Sequence, residues 1–218
     1  MTHYLFIGDV HSQAKPLSKA LAYALKQNLV PVLLGDLWDS RNGKDESLTV
    51  MRLVLEFPDS LLLVQSNHQW SLLRFLEGKK DTQSHDLTMG SLKGQEEFLL
   101  HWLSSLPLGY VLEDDNGVEY RAAHAYFPSN LEATSGVVYP GDVSSRVRGK
   151  MLYGPRFPEG ERKPWWWSPS ERGWVRVCGH YHEVFQGKES LVLDGSCGDP
   201  GGSLFGYNTR EGGLVNFG

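Results

Sequence analysis

Five short clusters of Asp, His and Asn punctuate the sequence: Asp9 with His11, Asp36 with Asp39, Asn67 with His68, His124 alone, and His180 with His182. Each stands at the end of a short apolar run. One such residue alone is more often a turn residue, a helix cap or a hydrogen-bonded histidine than a ligand. Their recurrence is the informative feature. Carboxylate, imidazole and amide oxygen are donors that suit Mn, Fe or Zn. Cysteine takes no obvious part in the pattern. The donors are too many for one ion, so two ions sharing a carboxylate fit the set more naturally.

Something must carry these residues to one place, and the intervening sequence has the required periodicity. His3 to Asp9 and Val30 to Asp36 are apolar runs that end in Gly-Asp, as buried parallel strands do. Ser60 to Ser66 forms a third strand, with Asn67 and His68 at its end. Leu17, Leu21 and Leu25 recur at helical spacing within Lys15 to Asn28, and Pro16 is tolerated in the first turn. Asp45 to Phe57 is a second helix. The resulting β-α-β-α-β order predicts a parallel sheet with right-handed crossovers. Glu77 to Gly94 is polar and reads as an excursion. Gln95 to Leu106 is an amphipathic helix, and Asp114 to Gly117 makes a hairpin turn between Tyr110–Glu113 and Val118–Ala123. Trp174 to Cys178 is a strand leading into His180 and His182, and short strands follow near 190–193, 204–207 and 214–217. The expectation is one domain over residues 1–218, with a parallel half followed by a more antiparallel half. Residues 128–169 form a long loop region on the substrate side. Because ligands bind at the strand C-termini of open α/β sheets, the polar clusters fall where a site belongs.

Composition narrows the function classes. With 40% hydrophobic and 22% charged residues, the 218-residue chain has a globular balance rather than a disordered one. A net charge of −5 argues against a protein that depends on a broad basic face, so nucleic acid is not a favoured partner. Two cysteines cannot build a disulfide framework or a Cys-only zinc site. No apolar run approaches the roughly 20 residues that span a bilayer. The first ten residues lack a basic start and a long apolar stretch, so the expectation is a cytoplasmic protein without membrane attachment.

The ordered motifs Gly8-Asp9-Val10-His11, Gly35-Asp36-Leu37-Trp38-Asp39, Asn67-His68, His124 and Gly179-His180-Tyr181-His182 resemble those of the calcineurin-like metallophosphoesterase superfamily. The chain is most similar to its phosphoprotein-phosphatase branch, which includes Ser/Thr phosphatases and diadenosine-tetraphosphatase-like proteins. Arg41 close after Asp39 and the stretch from Leu193 to Asn208 carry that similarity. The resemblance implies a four-layer α/β/β/α sandwich with mixed sheets and a centre of two divalent metal ions, with Mn expected and Fe, Zn or Mg as options. By motif position, Asp9, His11 and His182 would hold one metal, and Asn67, His124 and His180 the other, with Asp36 bridging. A bridging water or hydroxide would attack phosphorus. His68 would donate a proton to the leaving oxygen, Asp39 would orient His68, and Arg41 would bind phosphate.

This sequence departs from the pattern at several positions. Ser12 stands after the first histidine and Ser66 before Asn-His, where glycine is usual. Gln69 replaces a glutamate, and Ser40 shifts Arg41 by one position. The stretch Leu152 to Arg156 is similar to a Tyr-Gly segment of phosphatases related to diadenosine-tetraphosphate hydrolases, which makes Arg156 a second candidate for phosphate contact. The expected function is metal-dependent hydrolysis of phosphate monoesters, on phosphoprotein, nucleotide or small-molecule substrates. Two alternatives stand beside it: a phosphodiesterase or dinucleoside-polyphosphate hydrolase, and a non-catalytic binding module on the same scaffold. His3, His85 and His101 have no motif context, Cys178 lies in a buried strand, and Cys197 follows Gly-Ser near the expected site; all five are expected to be ordinary structural residues.

Overall fold

A computed structural model describes residues 2–57, 60–79, 85–131, 136–155 and 173–218. Two mixed sheets pack face to face between helical layers. Within the first sheet, β1 (Tyr4–Ile7), β2 (Val30–Leu33) and β3 (Leu62–Leu63) run parallel. The chain returns at its end to extend this sheet with β10 (Phe205–Asn208), antiparallel to β1, and β11 (Gly213–Asn216), giving the order β11-β10-β1-β2-β3. The second sheet has the order β6-β4-β5-β7-β9-β8, built from β4 (Gly109–Glu113), β5 (Glu119–Ala123), β6 (Val137–Val138), β7 (Val175–Cys178), β8 (Val184–Gln186) and β9 (Ser190–Leu193). In it β5, β7 and β9 are parallel neighbours. The expected split into a parallel half and an antiparallel half is therefore too simple. Both sheets are mixed, and the last strands belong to the first sheet.

Side-chain alternation along the strands separates the layers. Leu5 and Ile7 of β1 face the helices, while Tyr4 and Phe6 face the other sheet. Tyr120 and Ala122 of β5, Val177 of β7, and Leu191 and Leu193 of β9 meet them there. A period of two thus gives one strand to two cores. On the helical side lie α1 (Ala14–Gln27), α2 (Ser47–Leu55), α3 (Asn67–Leu76), α4 (Asp86–Ser91) and α5 (Glu96–Ser105). Leu17, Leu21 and Ala24 bury the inner face of α1, Val50, Met51 and Val54 that of α2, and Leu99 and Leu103 that of α5. Each fully buried Leu or Ile adds about 1.5–3 kcal/mol relative to exposure. The outer face of the second sheet is covered by α6 (Ser145–Tyr153), whose Met151 and Leu152 pack on Leu108, Ala123 and Phe127. The order of layers is α/β/β/α.

Local chemistry sets the element ends that matter for the site. Asn28 closes α1 in the left-handed region at φ 50°, a conformation asparagine tolerates. Ser66 caps α3, its hydroxyl accepting from the Gln69 backbone N–H at 3.2 Å, which satisfies a helix-start donor. This cap stops the third strand early. The run expected as strand over Ser60 to Ser66 pairs only at Leu62–Leu63, and Asn67 and His68 open a helix. The polar excursion is also partly regular, because it contains α4.

The two sheets come close together where β1 and β9 end. A Cβ on Gly8 would overlap the backbone carbonyl of Leu193, which only a shift of one sheet could relieve. Gly8→Ala is expected to lower stability by about 1–3 kcal/mol, as overpacking does. Urea unfolding would register this as a lower midpoint with an unchanged slope, and an unchanged midpoint would contradict the close approach.

Candidate metal centre

The loops that follow the strands are tied to one another by backbone bonds. Val10 and His11 both donate N–H to the Asp36 carbonyl, at 3.1 and 2.8 Å, and Ser12 N–H donates to Leu37 O at 2.9 Å. Gly179 N–H donates to His124 O at 2.8 Å. Each polar cluster is thereby fixed by its neighbour. The turns are tight enough that His11, Asp36, Asp39, His180 and His182 adopt positive φ, between 43° and 73°. Such conformations cost about 1–3 kcal/mol each and persist where surrounding contacts impose them. Gly179 is needed for a different reason: a side chain there would run into the Asp9 carboxylate.

Two sets of donors converge, and Asp36 belongs to both. Asp9, His11 and Asp36 form one, and Asp36, His124 and His180 the other, with donor atoms within 4.8 Å of one another in each. Tautomers follow from the outer partners. His11 Nδ1 lies 3.0 Å from the Asp39 carbonyl, and His124 Nδ1 lies 2.9 Å from that of Leu34. A carbonyl only accepts, so Nδ1 carries the proton in both rings and Nε2 offers its lone pair to the centre. The Nε2 of His124 then faces Asn67 Oδ1 at 2.6 Å and His180 Nδ1 at 3.1 Å. With the Asn67 amide oxygen facing the ring, His124 Nε2 and Asn67 Oδ1 are two acceptors that a proton or a cation between them would satisfy. Burial holds the His124 pKa below its usual value, which disfavours the proton.

Charge and unsatisfied atoms support the same reading. Asp9 Oδ1, His11 Nε2 and Asp36 Oδ1 are buried without a hydrogen-bond partner. From Asp36, the nearest ring nitrogens of His11, His68 and His124 stand at 3.6, 3.7 and 3.6 Å, too long for hydrogen bonds. Burial, together with neighbouring Asp194 and Asp36, raises the Asp9 pKa well above the carboxylate range. Adjacent buried carboxylates with orphaned oxygens and neutral imidazoles form a donor set that fits divalent cations.

Beside this centre, His68 Nδ1 lies 2.6 Å from Asp39 Oδ2. Burial alone would lower the His68 pKa, but the Asp36 charge and the Asp39 hydrogen bond outweigh it and raise the pKa to about 8. The remaining expected site residues are distributed less simply. The ring of His182 falls in neither donor set. Its Nδ1 faces Arg41 Nη1 at 3.2 Å and Ser196 Oγ at 3.3 Å. Arg41 also reaches Asp199 at 3.3 Å and Asp194 at 3.8 Å. Arg156 lies outside the described residues. Asp194, fully buried, accepts from the backbone N–H groups of His182 and Ser196 at 2.8 and 2.9 Å and so shapes that turn. Burial pushes the Cys197 thiol up to about 12, so it is no nucleophile at neutral pH.

Two residues at the site had no sequence signal beyond their type. Thr88 Oγ1 donates to Asp39 Oδ1 at 2.9 Å, and His85 Nδ1 lies 3.7 Å from the same oxygen. The polar stretch that holds them has neither a motif nor a clear period, and only the position of α4 brings them to Asp39.

No family model matches the sequence. The chain is similar to the symmetrical bis(5'-nucleosyl)-tetraphosphatase of Delftia acidovorans, with 29% identity over 177 residues, covering 78% of this chain and 61% of that protein. It therefore spans about three fifths of the length of that relative. Among solved structures, a protein serine/threonine phosphatase from Saccharomyces cerevisiae aligns with a TM-score of 0.56 at 16% identity, covering 94% of this chain and 72% of that one. A cold-active protein tyrosine phosphatase aligns with a TM-score of 0.57 at 15% identity, covering 99% and 78%. The fold of this chain is the one shared by these two phosphatase structures.

Calorimetric titration with Mn²⁺ is expected to give about two ions per chain, as a shared-carboxylate centre requires. Asp36→Asn should abolish tight binding of both. His180→Ala should remove one and leave the other. Equal loss of both ions on His180→Ala would contradict two separate donor sets around Asp36.

Proposed function

We propose that the chain is a dinuclear-metal-dependent phosphoesterase acting on phosphate monoesters. The observation that carries this reading is Asp36, shared by two donor sets, with the His68–Asp39 pair directly beside it. Asp9 and His11 would hold one ion, Asn67, His124 and His180 the other, and Asp36 both. His182 would join the first ion's donors if its ring turned away from Arg41. Divalent ions in this centre supply positive charge that activates water and stabilises charge on phosphoryl oxygens. The centre's oxygen and nitrogen donors support Mn as the working metal, with Fe, Zn or Mg as options.

The chain's own residues do the rest. His68, protonated near neutrality, gives its proton to the leaving oxygen. Asp39 fixes the tautomer and direction of that imidazole. Arg41 offers a guanidinium for phosphate oxygens once it leaves Asp199, and Arg156 is a further phosphate contact. Backbone bonds between the loops of His11 and Asp36 hold those two groups in place, which favours electrostatic stabilisation.

The substrate is a phosphorylated protein, nucleotide or small molecule. One observation favours a second reading, the cleavage of dinucleoside polyphosphates: the curated relative from Delftia acidovorans is named a tetraphosphatase for such compounds. No helix of the described residues is long and apolar enough to cross a membrane. The two thiols are free and buried, which suits a reducing, cytoplasmic compartment. Pairing of the first strand with β10 supports reading residues 1–218 as one domain.

Hydrolysis of p-nitrophenyl phosphate, a phosphopeptide and a diadenosine polyphosphate by Mn-loaded protein separates these readings. Turnover of the monoesters supports the first, and selective turnover of the polyphosphate supports the second. With the preferred substrate, His68→Ala is expected to lower kcat by about 10²–10⁴-fold while metal content is unchanged. A metal-loaded protein that hydrolyses none of the three would leave a binding role instead.

A further inference from the structure

Asp39 is gripped from both sides, and only one grip belongs to the expected site. Its Oδ2 meets His68 Nδ1, while its Oδ1 accepts the Thr88 hydroxyl at 2.9 Å. Thr88 is almost completely buried at 1% exposure. The ring of His85, also buried, lies between Asp39 and Ser71: Nδ1 is 3.7 Å from Asp39 Oδ1, and Nε2 is 2.9 Å from Ser71 Oγ. Ser71 lies on α3, the helix that carries Asn67 and His68 in its first turn. His85 and Thr88 belong to α4 and its cap. Side chains thus run from His68 through Asp39 to Thr88, and His85, packed beside Asp39, contacts Ser71 on the helix that bears His68. Asp39 itself sits at φ 64°, a conformation that needs outside support in a non-glycine residue.

We propose that Thr88 and His85 are positioning residues for the proton-donating pair, and that α4 serves as a clamp that fixes the Asp39 carboxylate plane. This rests on the reading of His68 as proton donor. A carboxylate held at one oxygen can rotate about its Cβ–Cγ bond and lose alignment with the imidazole. Held at both oxygens it cannot, and His68 stays directed at the leaving oxygen. Thr88 supplies the direct bond. His85 fills the space behind it, its Nε2 in contact with Ser71 Oγ and its Nδ1 edge facing Asp39. Both residues act through Asp39 and neither touches the reacting atoms.

The test compares two monoesters that differ in leaving group, p-nitrophenyl phosphate and phenyl phosphate. Phenolate is the poorer leaving group and depends more on proton donation. Thr88→Val, nearly isosteric but without a donor, should lower kcat on phenyl phosphate by about tenfold, lower it much less on p-nitrophenyl phosphate, and leave KM unchanged. Thr88→Ser should restore the wild-type ratio. In the His68→Ala background, Thr88→Val should have no further effect, because the two act as a unit. A loss equal for both esters, or a full additional loss in the His68→Ala background, would overturn the proposal. A second readout does not depend on turnover. In ¹⁵N-histidine NMR spectra, the His68 Nδ1–H proton should be slow to exchange in wild type and exchange faster in Thr88→Val. An unchanged proton would overturn the clamp even if neither ester is hydrolysed, and failure of wild-type hydrolysis with a changed proton would count against the phosphoesterase reading alone.

Discussion

A carboxylate placed almost wholly out of water among imidazoles is the constraint on which the other features depend. Asp36 is 2% exposed, and the rings of His11, His68 and His124 surround it at distances too long for hydrogen bonds. Burying a carboxylate without compensation is expensive, so charge must be supplied nearby. Neighbouring imidazoles, His68 foremost, supply part of it: burial opposes ionisation of Asp36, yet they hold its pKa below the carboxylate range. The buried Asp9 carboxylate has no such escape, and its pKa rises instead. That asymmetry makes the centre cation-seeking.

Everything that holds Asp36 comes from the ends of strands. The two sheets meet where Gly8 presses on Leu193, which brings the β1 loop with Asp9 and His11 close to the turn after β9. Gly179 lets the Asp9 carboxylate lie against the backbone that leads to His180. Positive-φ turns at His11, Asp36, Asp39 and His180 aim the donors inward. Packing cores on both faces of the first sheet oppose relaxation of these turns, since a shift of one strand would disturb two layers at once. Fold stability and site geometry are therefore coupled through the same few residues.

The site was legible in the sequence to an uneven degree. Asp9, Asp36, His124 and His180 could be read because donor-type residues at the ends of apolar runs carry both a structural and a chemical signal. The capping role of Ser66 was less visible: serine in place of glycine looked like a departure, although it starts α3 and points Asn67 and His68 inward. The return of β10 and β11 to the first sheet was hidden because short strands carry no information about which edge they join. Arg41 and His182 were readable as types, but their mutual contact depends on turn geometry after Asp39 and Gly179. Thr88 and His85 gave no signal at all. Their role arises from the placement of a six-residue helix against a loop from another part of the chain, and no local pattern encodes that.

The most direct measurement is anomalous diffraction at the manganese edge from crystals grown with Mn²⁺. Two strong peaks are expected, about 3.5–4 Å apart, as in centres where ions share a carboxylate. Asp36 should contact both, with Asp9 and His11 at one peak and Asn67, His124 and His180 at the other. A single peak, or peaks that do not touch Asp36, would contradict the account.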